Sequence, residues 1–360
     1  MIQLIGYEFG KIVKRRIVLV SLAFLTVLAA MLYMENGPQS VICLMPDGRY
    51  LGGREAIVWE KQVASEYKGD LTEEKVREIL DKYTPDAEDE MRGVWTVNAV
   101  YNAIQHSFGN LDGSYNGLNV EEAFPDYEGE TSLRLGYSEG YAGFINMGMS
   151  LMVGLGFVLV ICLAPVFAEE YSRKTDALIL VSRYGKNRCA LAKILAAYLF
   201  ALLVTGIILS TMTGLFLGAF GWTGGESSIQ INSRYLLQNV PYFMTCKEAI
   251  RDSMVLWIAG ILLLTALILL LSVLCRTSFI TLIAALAVYT LPMAGLNLHI
   301  PKEILSFTPF WCFLSENTLT IAKAFNGELS WIWGPFLLAV VCVPAVMYFG
   351  QKVFAGHEST

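Results

Sequence analysis

The sequence predicts an all-α polytopic membrane protein, with six transmembrane helices and a small, mainly helical domain inserted between the first two. Three observations carry this. The 360 residues are 55% hydrophobic and only 16% charged, with a mean hydropathy of +0.51. Six apolar runs, at 17–34, 141–167, 190–220, 253–275, 278–296 and 331–349, come close to or exceed the ~20 residues that cross a roughly 30 Å hydrocarbon layer as a helix. Residues 35–140 hold 21 acidic and 9 basic residues, a net of -12 in a chain of net -6, so the remainder is basic. Backbone groups in lipid must pair within their own segment, which makes the runs helical.

Residues 1–16 precede the first run. Ile2, Ile5, Phe9 and Ile12 recur at helical spacing, with Lys11, Lys14 and Arg15 off that stripe. This predicts a short amphipathic helix lying in the membrane interface. A plain basic flank to a membrane anchor is the simpler alternative. The first run with its VLAAM stretch could also serve as a signal peptide, but it is long for that purpose.

Orientation follows from the short loops. Lys11, Lys14, Arg15 and Arg16 precede the first run, and Arg173, Lys174, Arg183, Lys186 and Arg188 follow the second. Arg276 separates the fourth and fifth, and Lys352 follows the sixth. Six spans place all four groups on one face, which the positive-inside rule makes cytoplasmic. Both termini are then cytoplasmic, and 35–140, 221–252 and 297–330 lie outside. Arg234, Lys247, Arg251, Lys302 and Lys323 on the outer side make this a bias and not an absolute rule.

Within 35–140, MPDGRYLGG (45–53) reads as turns. GREAIVWEKQVASEYKG is weakly helical through Ala56, Val58, Trp59 and Val63. DLTEEKVREILDKYTP is a clear helix, capped by Thr72, with Glu73 and Glu74 at its positive end and Val76, Ile79 and Leu80 as its stripe. Pro85 ends it. A second helix is expected over 90–108, through Val94, Val97, Tyr101 and Ile104, and mostly loop over 110–137. Such an acidic domain is either a solvated cap or a substrate-facing lid, and its charge favours cationic ligands.

Several function classes are disfavoured. Lys193 is the one charged side chain within the six runs, one turn from the end of the third, where it is expected to snorkel. Without mid-membrane Asp or Glu, ion-coupled transport and voltage sensing lack their usual groups. An amphipathic or lipid-like cargo needs none. Gly148, Gly154 and Gly156 in the second run and the Gly214/Gly218 GxxxG in the third suit close helix packing or a subunit interface. Pro165, Pro292, Pro335 and Pro344 are sites for kinks or helix ends. The seven cysteines include no CxxC, so neither a disulfide framework nor a zinc site is expected, and a bridge from Cys43 to Cys246 or Cys312 has no specific support. HExxH and Walker GxxxxGK[ST] motifs are absent. Glu169-Glu170 with Arg173 resembles the paired-glutamate motif of intramembrane CAAX-type proteases, but the spacing is one short. The three histidines, His106, His299 and His357, lie away from it.

The most informative stretch is FAEEYSRKTDALILVSRYGKNRCALAK, 167–193, a charged segment between two oily ones. Glu169 and Glu170 are expected at the start of a new helix, where the macrodipole favours acids. Tyr171, Thr175, Leu178 and Val181 follow at roughly helical spacing, flanked by Arg173, Lys174 and Asp176. Arg183 to Arg188 form a basic turn in which Gly185 is free to be left-handed. The result is an amphipathic helix on the cytoplasmic face, able to dock in a groove of a soluble partner.

These residues resemble the membrane subunits of ATP-binding-cassette (ABC) exporters, in the six-span class with an N-terminal elbow helix. The resemblance covers nearly the whole chain. MIQLIGYEFGKIVKRR stands as the elbow and 168–189 as the cytoplasmic coupling segment. LHIPKEILSFTPFWCFL, in 297–330, stands as outer, partly re-entrant helices before the last span. The large insertion, with GRYLGGREAI and YKGDLTEEKVREIL, resembles permeases common in Firmicutes. The resemblance implies a bacterial cell-membrane permease that exports an amphipathic substrate such as a peptide antibiotic or lipid. It implies a separate ABC ATPase subunit that holds ATP and Mg²⁺, a second permease copy or sister chain, and no cofactor in this chain. Glu169, Glu170, Tyr171, Arg173, Lys174, Thr175, Leu178 and Arg183 would then contact the ATPase. Alternatively the acids only cap a helix, and the basic residues only bind anionic lipid. No nucleic-acid partner, catalytic residue or metal site is expected, and no substrate-binding residue is identified. The rival class is a membrane receptor whose outer domain binds a ligand and signals inward, although a sensor rarely needs six spans.

Overall fold

The structure is a computed structural model of the chain. It describes residues 1–85, 97–110, 112–123, 133–173, 188–231, 240, 242–275, 277–295, 297, 299–321, 324–325 and 329–355. It is mostly helical, and six helices are long and apolar enough to cross a membrane. The first elements are α1 (Ile2–Val13) and α2 (Arg16–Asn36), followed by the insert with α3 (Gly53–Glu66), α4 (Glu73–Tyr83) and α5 (Ala99–Phe108). The bundle continues with α6 (Glu139–Leu163), α7 (Pro165–Ser172), α8 (Ala190–Phe220), α9 (Cys246–Leu274) and α10 (Ser278–Gly295). Three short helices, α11 (Lys302–Leu305), α12 (Pro309–Phe313) and α13 (Ser315–Ile321), lead to α14 (Trp333–Ala355).

The six expected runs coincide with α2, α6 to α7, α8, α9, α10 and α14. The fourth helix departs most, beginning at Cys246 and not near 253. A capping box explains this. Glu248 N–H donates to Thr245 Oγ1 at 3.3 Å, and Thr245 N–H donates to Glu248 Oε2 at 2.9 Å. Two of the helix's orphan donors are thereby satisfied a full turn before the apolar run.

Helix α9 is central and packs against α6, α8, α10, α12 and α14. Trp257 in α9 is fully buried and donates from Nε1 to Phe313 O at 3.1 Å, which draws α12 back into the bundle. Glycines allow these approaches. A Cβ at Gly148 would overlap the Trp257 ring, one at Gly156 would overlap the Tyr289 ring, and one at Gly154 would sit 2.6 Å from Leu28 Cδ2. By contrast, Gly206, Gly214 and Gly218 in α8 meet nothing within 4 Å, so the GxxxG makes no close packing among the described residues. Large apolar side chains such as Phe24, Met31, Phe279 and Val341 are exposed on the outer faces. A water-soluble surface does not carry so much contiguous apolar area.

The insert's apolar residues are continuous with the core of the bundle. Thr72 accepts from Lys75 N–H to cap α4, and Asn98 accepts from Tyr101 N–H at 2.8 Å to cap α5. Ala56, Ile57 and Val63 of α3 pack with Ile79, Leu80, Ile104 and Phe108. Ile57 is on this face, whereas Val58 is 57% exposed and is not part of the stripe. The 42–53 region is a short hairpin, β1 (Ile42–Leu44) antiparallel to β2 (Tyr50–Gly52), and not turns throughout. The expected helix over 90–108 is described only from Ala99, and Val94 lies outside the described residues. All seven cysteines are free, so Cys43 forms no bridge to Cys246 or Cys312. Burial, with Glu60 adding to it, pushes the Cys43 thiol up to about 12.

Candidate functional site

The site forms where α1, the end of α7 and the start of α8 converge. Its origin is local. Pro165 lacks an N–H, so the second long helix breaks at Ala164 and restarts as α7. The break leaves unpaired backbone groups inside the bundle. Ser272 of α9 satisfies three of them. It donates to Ala164 O at 2.7 Å and accepts from Phe167 N–H at 3.0 Å and Ala168 N–H at 3.2 Å. Ser272→Ala would leave these buried groups without partners, so a cost of about 1–3 kcal/mol is expected. Thermal unfolding in detergent checks this, and an unchanged midpoint would mean that the groups find other partners.

The restart fixes where the two acids fall. Glu169 and Glu170 occupy the last turn of α7, and not the start of a new helix as the sequence suggests. There the macrodipole is unfavourable to acids, and cations answer it. Arg15 Nη2 lies 2.5 Å from Glu169 Oε2, and Arg173 Nη2 lies 2.6 Å from Glu169 Oε1. Glu170 Oε1 receives Lys193 Nζ at 2.8 Å and Lys11 Nζ at 3.3 Å.

Helix α1 completes the cluster. Its inward face runs through Ile5, Phe9 and Ile12, but it also includes Glu8, which is 5% exposed, while Ile2 is 86% exposed and off the face. Glu8 Oε2 accepts from Lys193 Nζ at 2.9 Å, and Glu8 Oε1 pairs with Lys11 Nζ at 3.2 Å. Lys193 therefore does not snorkel. Its side chain is 2% exposed and sits between the two carboxylates. Burial pulls the Lys11 amine down, but Glu8 and Glu170 outweigh it and hold the amine above its ordinary value. Arg15 Nη1 also donates to Cys162 O at 3.4 Å, at the end of α6. Three carboxylates and four cations thus join helices that are remote in sequence.

Of the eight candidate contact residues, Glu169 and Glu170 point into this cluster. Tyr171 packs on Phe354 of α14, with ring centroids 6.0 Å apart. Arg173 alone among the described ones faces out, with its side chain 71% exposed. Lys174, Thr175, Leu178 and Arg183 lie outside the described residues. Sequence reasoning missed Glu8. The signal was an acid at a position that shares the apolar face of an amphipathic helix.

Chemically the cluster is a latch. Among the described residues no group of three or more His, Cys, Asp or Glu could hold a metal. Its ion pairs tie α7 to both α1 and α8. No protein-family description, curated protein or solved structure matches this chain.

Proposed function

We propose that the chain is the membrane-spanning permease of an ATP-driven ABC exporter, working with a separate ATPase and a second permease copy or sister chain. Its cargo would be amphipathic, a peptide antibiotic or a lipid. In this reading the basic end is cytoplasmic, the insert 35–140 is extracellular, and the membrane is a bacterial cell membrane.

The observation that carries the reading is the latch. The segment that would meet an ATPase leaves α7 at Arg173 and returns at the start of α8. Both of these anchors are ion-paired to the N-terminal helix through Glu170, Lys193 and Glu8. A push on that segment therefore reaches three helices together. The six spans, the N-terminal amphipathic helix and the basic bias of one end support the same architecture.

The test is purification from native membranes in mild detergent, with identification of co-purifying chains and an ATPase assay. An ATP-hydrolysing chain at stoichiometric yield is expected. A Glu170→Ala/Tyr171→Ala variant should lose the partner or its coupled hydrolysis. A folded, intact chain that brings down no nucleotide-hydrolysing partner would overturn the proposal and favour the receptor class.

A further inference from the structure

A lateral groove runs between α2 and α8. It is about 750 Å³, within the roughly 300–1,000 Å³ of small-molecule sites. Met147 and Leu151 of α6 form its floor. Leu22 to Tyr33 of α2 line one wall and Phe200 to Leu215 of α8 the other. At 1.5 Å per residue these walls run about 17–22 Å, roughly two thirds of the hydrocarbon core.

The groove is bounded, and not merely a gap. Phe9 meets Phe200 at one end with ring centroids 6.4 Å apart, and Tyr33 meets Phe216 at the other at 5.7 Å. No charged side chain lines it, and the Thr26 hydroxyl is satisfied by Leu22 O at 2.9 Å. The rim residues Ala30, Ile207 and Thr211 are exposed, so it opens sideways.

Geometry selects the occupant. A second helix is ~10–12 Å wide with its side chains and would have to pass both aromatic closures to lie along the floor. One extended hydrocarbon chain fits between them. Charge places the polar end. Val13 lines the groove at the α1 end, and the chain that follows it carries Lys14 and Arg16, which are exposed and make no ion pair among the described residues. Basic residues at a membrane interface attract anionic headgroups.

We propose that this groove binds one acyl chain of an anionic membrane phospholipid, with the headgroup at Lys14 and Arg16. The proposal rests on the six helices being membrane spans and is independent of any ATPase partner, so the two readings fail separately.

The test is intact-protein mass spectrometry after delipidation, titrating phosphatidylglycerol or phosphatidylcholine. One phosphatidylglycerol per chain should be retained, at least tenfold more tightly than phosphatidylcholine. Lys14→Gln/Arg16→Gln, which alters exposed side chains only, should abolish that preference. Ala30→Trp, on the open rim, should abolish retention. Equal retention of the two lipids overturns the headgroup assignment, and retention unchanged in Ala30→Trp overturns the groove as the site. A dimer that Ala30→Trp dissociates, with no lipid retained, overturns the proposal in favour of a second copy as the occupant.

Discussion

Lys193→Met is expected to destabilise the protein by about 3–5 kcal/mol, the cost of stranding buried charge. The methionine fills similar space, so the loss is electrostatic. Glu8, at 6% side-chain exposure, and Glu170, at 14%, would face each other without the amine that lies 2.9 and 2.8 Å from them. Lys11 alone cannot replace it, because Lys11 is already paired to both carboxylates from the outer side. The triple variant Glu8→Gln/Lys193→Met/Glu170→Gln removes the three most buried charges together and leaves Lys11, whose side chain is 36% exposed, to be solvated. It is expected to recover most of the stability, because deleting a whole buried ion set is often neutral. Thermal unfolding in detergent reads both variants. A Lys193→Met midpoint equal to wild type would show that the cluster does not hold the three helices.

The second large effect is steric. Gly148→Ala is expected to cost about 1–3 kcal/mol, as overpacking does in a close-packed interior. The added Cβ overlaps the Trp257 ring, which is fully buried and pinned by its bond to Phe313 O, so neither partner can yield cheaply. Gly214→Ala supplies the control. Nothing lies within 4 Å of its Cβ, and Ala exceeds Gly in helix propensity by roughly 0.8–1.0 kcal/mol. That variant is expected to be neutral or slightly stabilised. Equal losses at the two positions would show that Gly214 meets a partner outside this chain.

The spans were legible because uninterrupted apolar length is a strong signal. The third was delimited at 190–220, matching α8 (Ala190–Phe220). The fourth was misjudged because Thr245 and Glu248 start its helix through polar residues that hydropathy discounts. The acids at 169 and 170 stand out in the sequence, but it suggests the start of a helix for them and not the last turn of α7. Pro165 restarts the chain four residues before Glu169, and the groups that this break frees are satisfied by Ser272, more than 100 residues away. Glu8 was invisible for a related reason. An acid on a short amphipathic helix reads as solvent-facing until its buried cation is known, and Lys193 is 185 residues distant. Lys193 itself stands out in the sequence, but without a known partner it reads as snorkelling. For Lys174, Thr175, Leu178 and Arg183 the contact assignment stays with the resemblance.

The most direct measurement of whether the basic end meets an ATPase is photocrosslinking in native membranes. A photoreactive residue would replace Arg173, whose side chain is 71% exposed beside the latch, and a control would replace Val58, 57% exposed on the insert. The expected result is a crosslink from 173 to a nucleotide-binding chain and none from 58. Contradiction would be the absence of any such crosslink from 173, or the same crosslink from both positions, with both variants folded in the membrane.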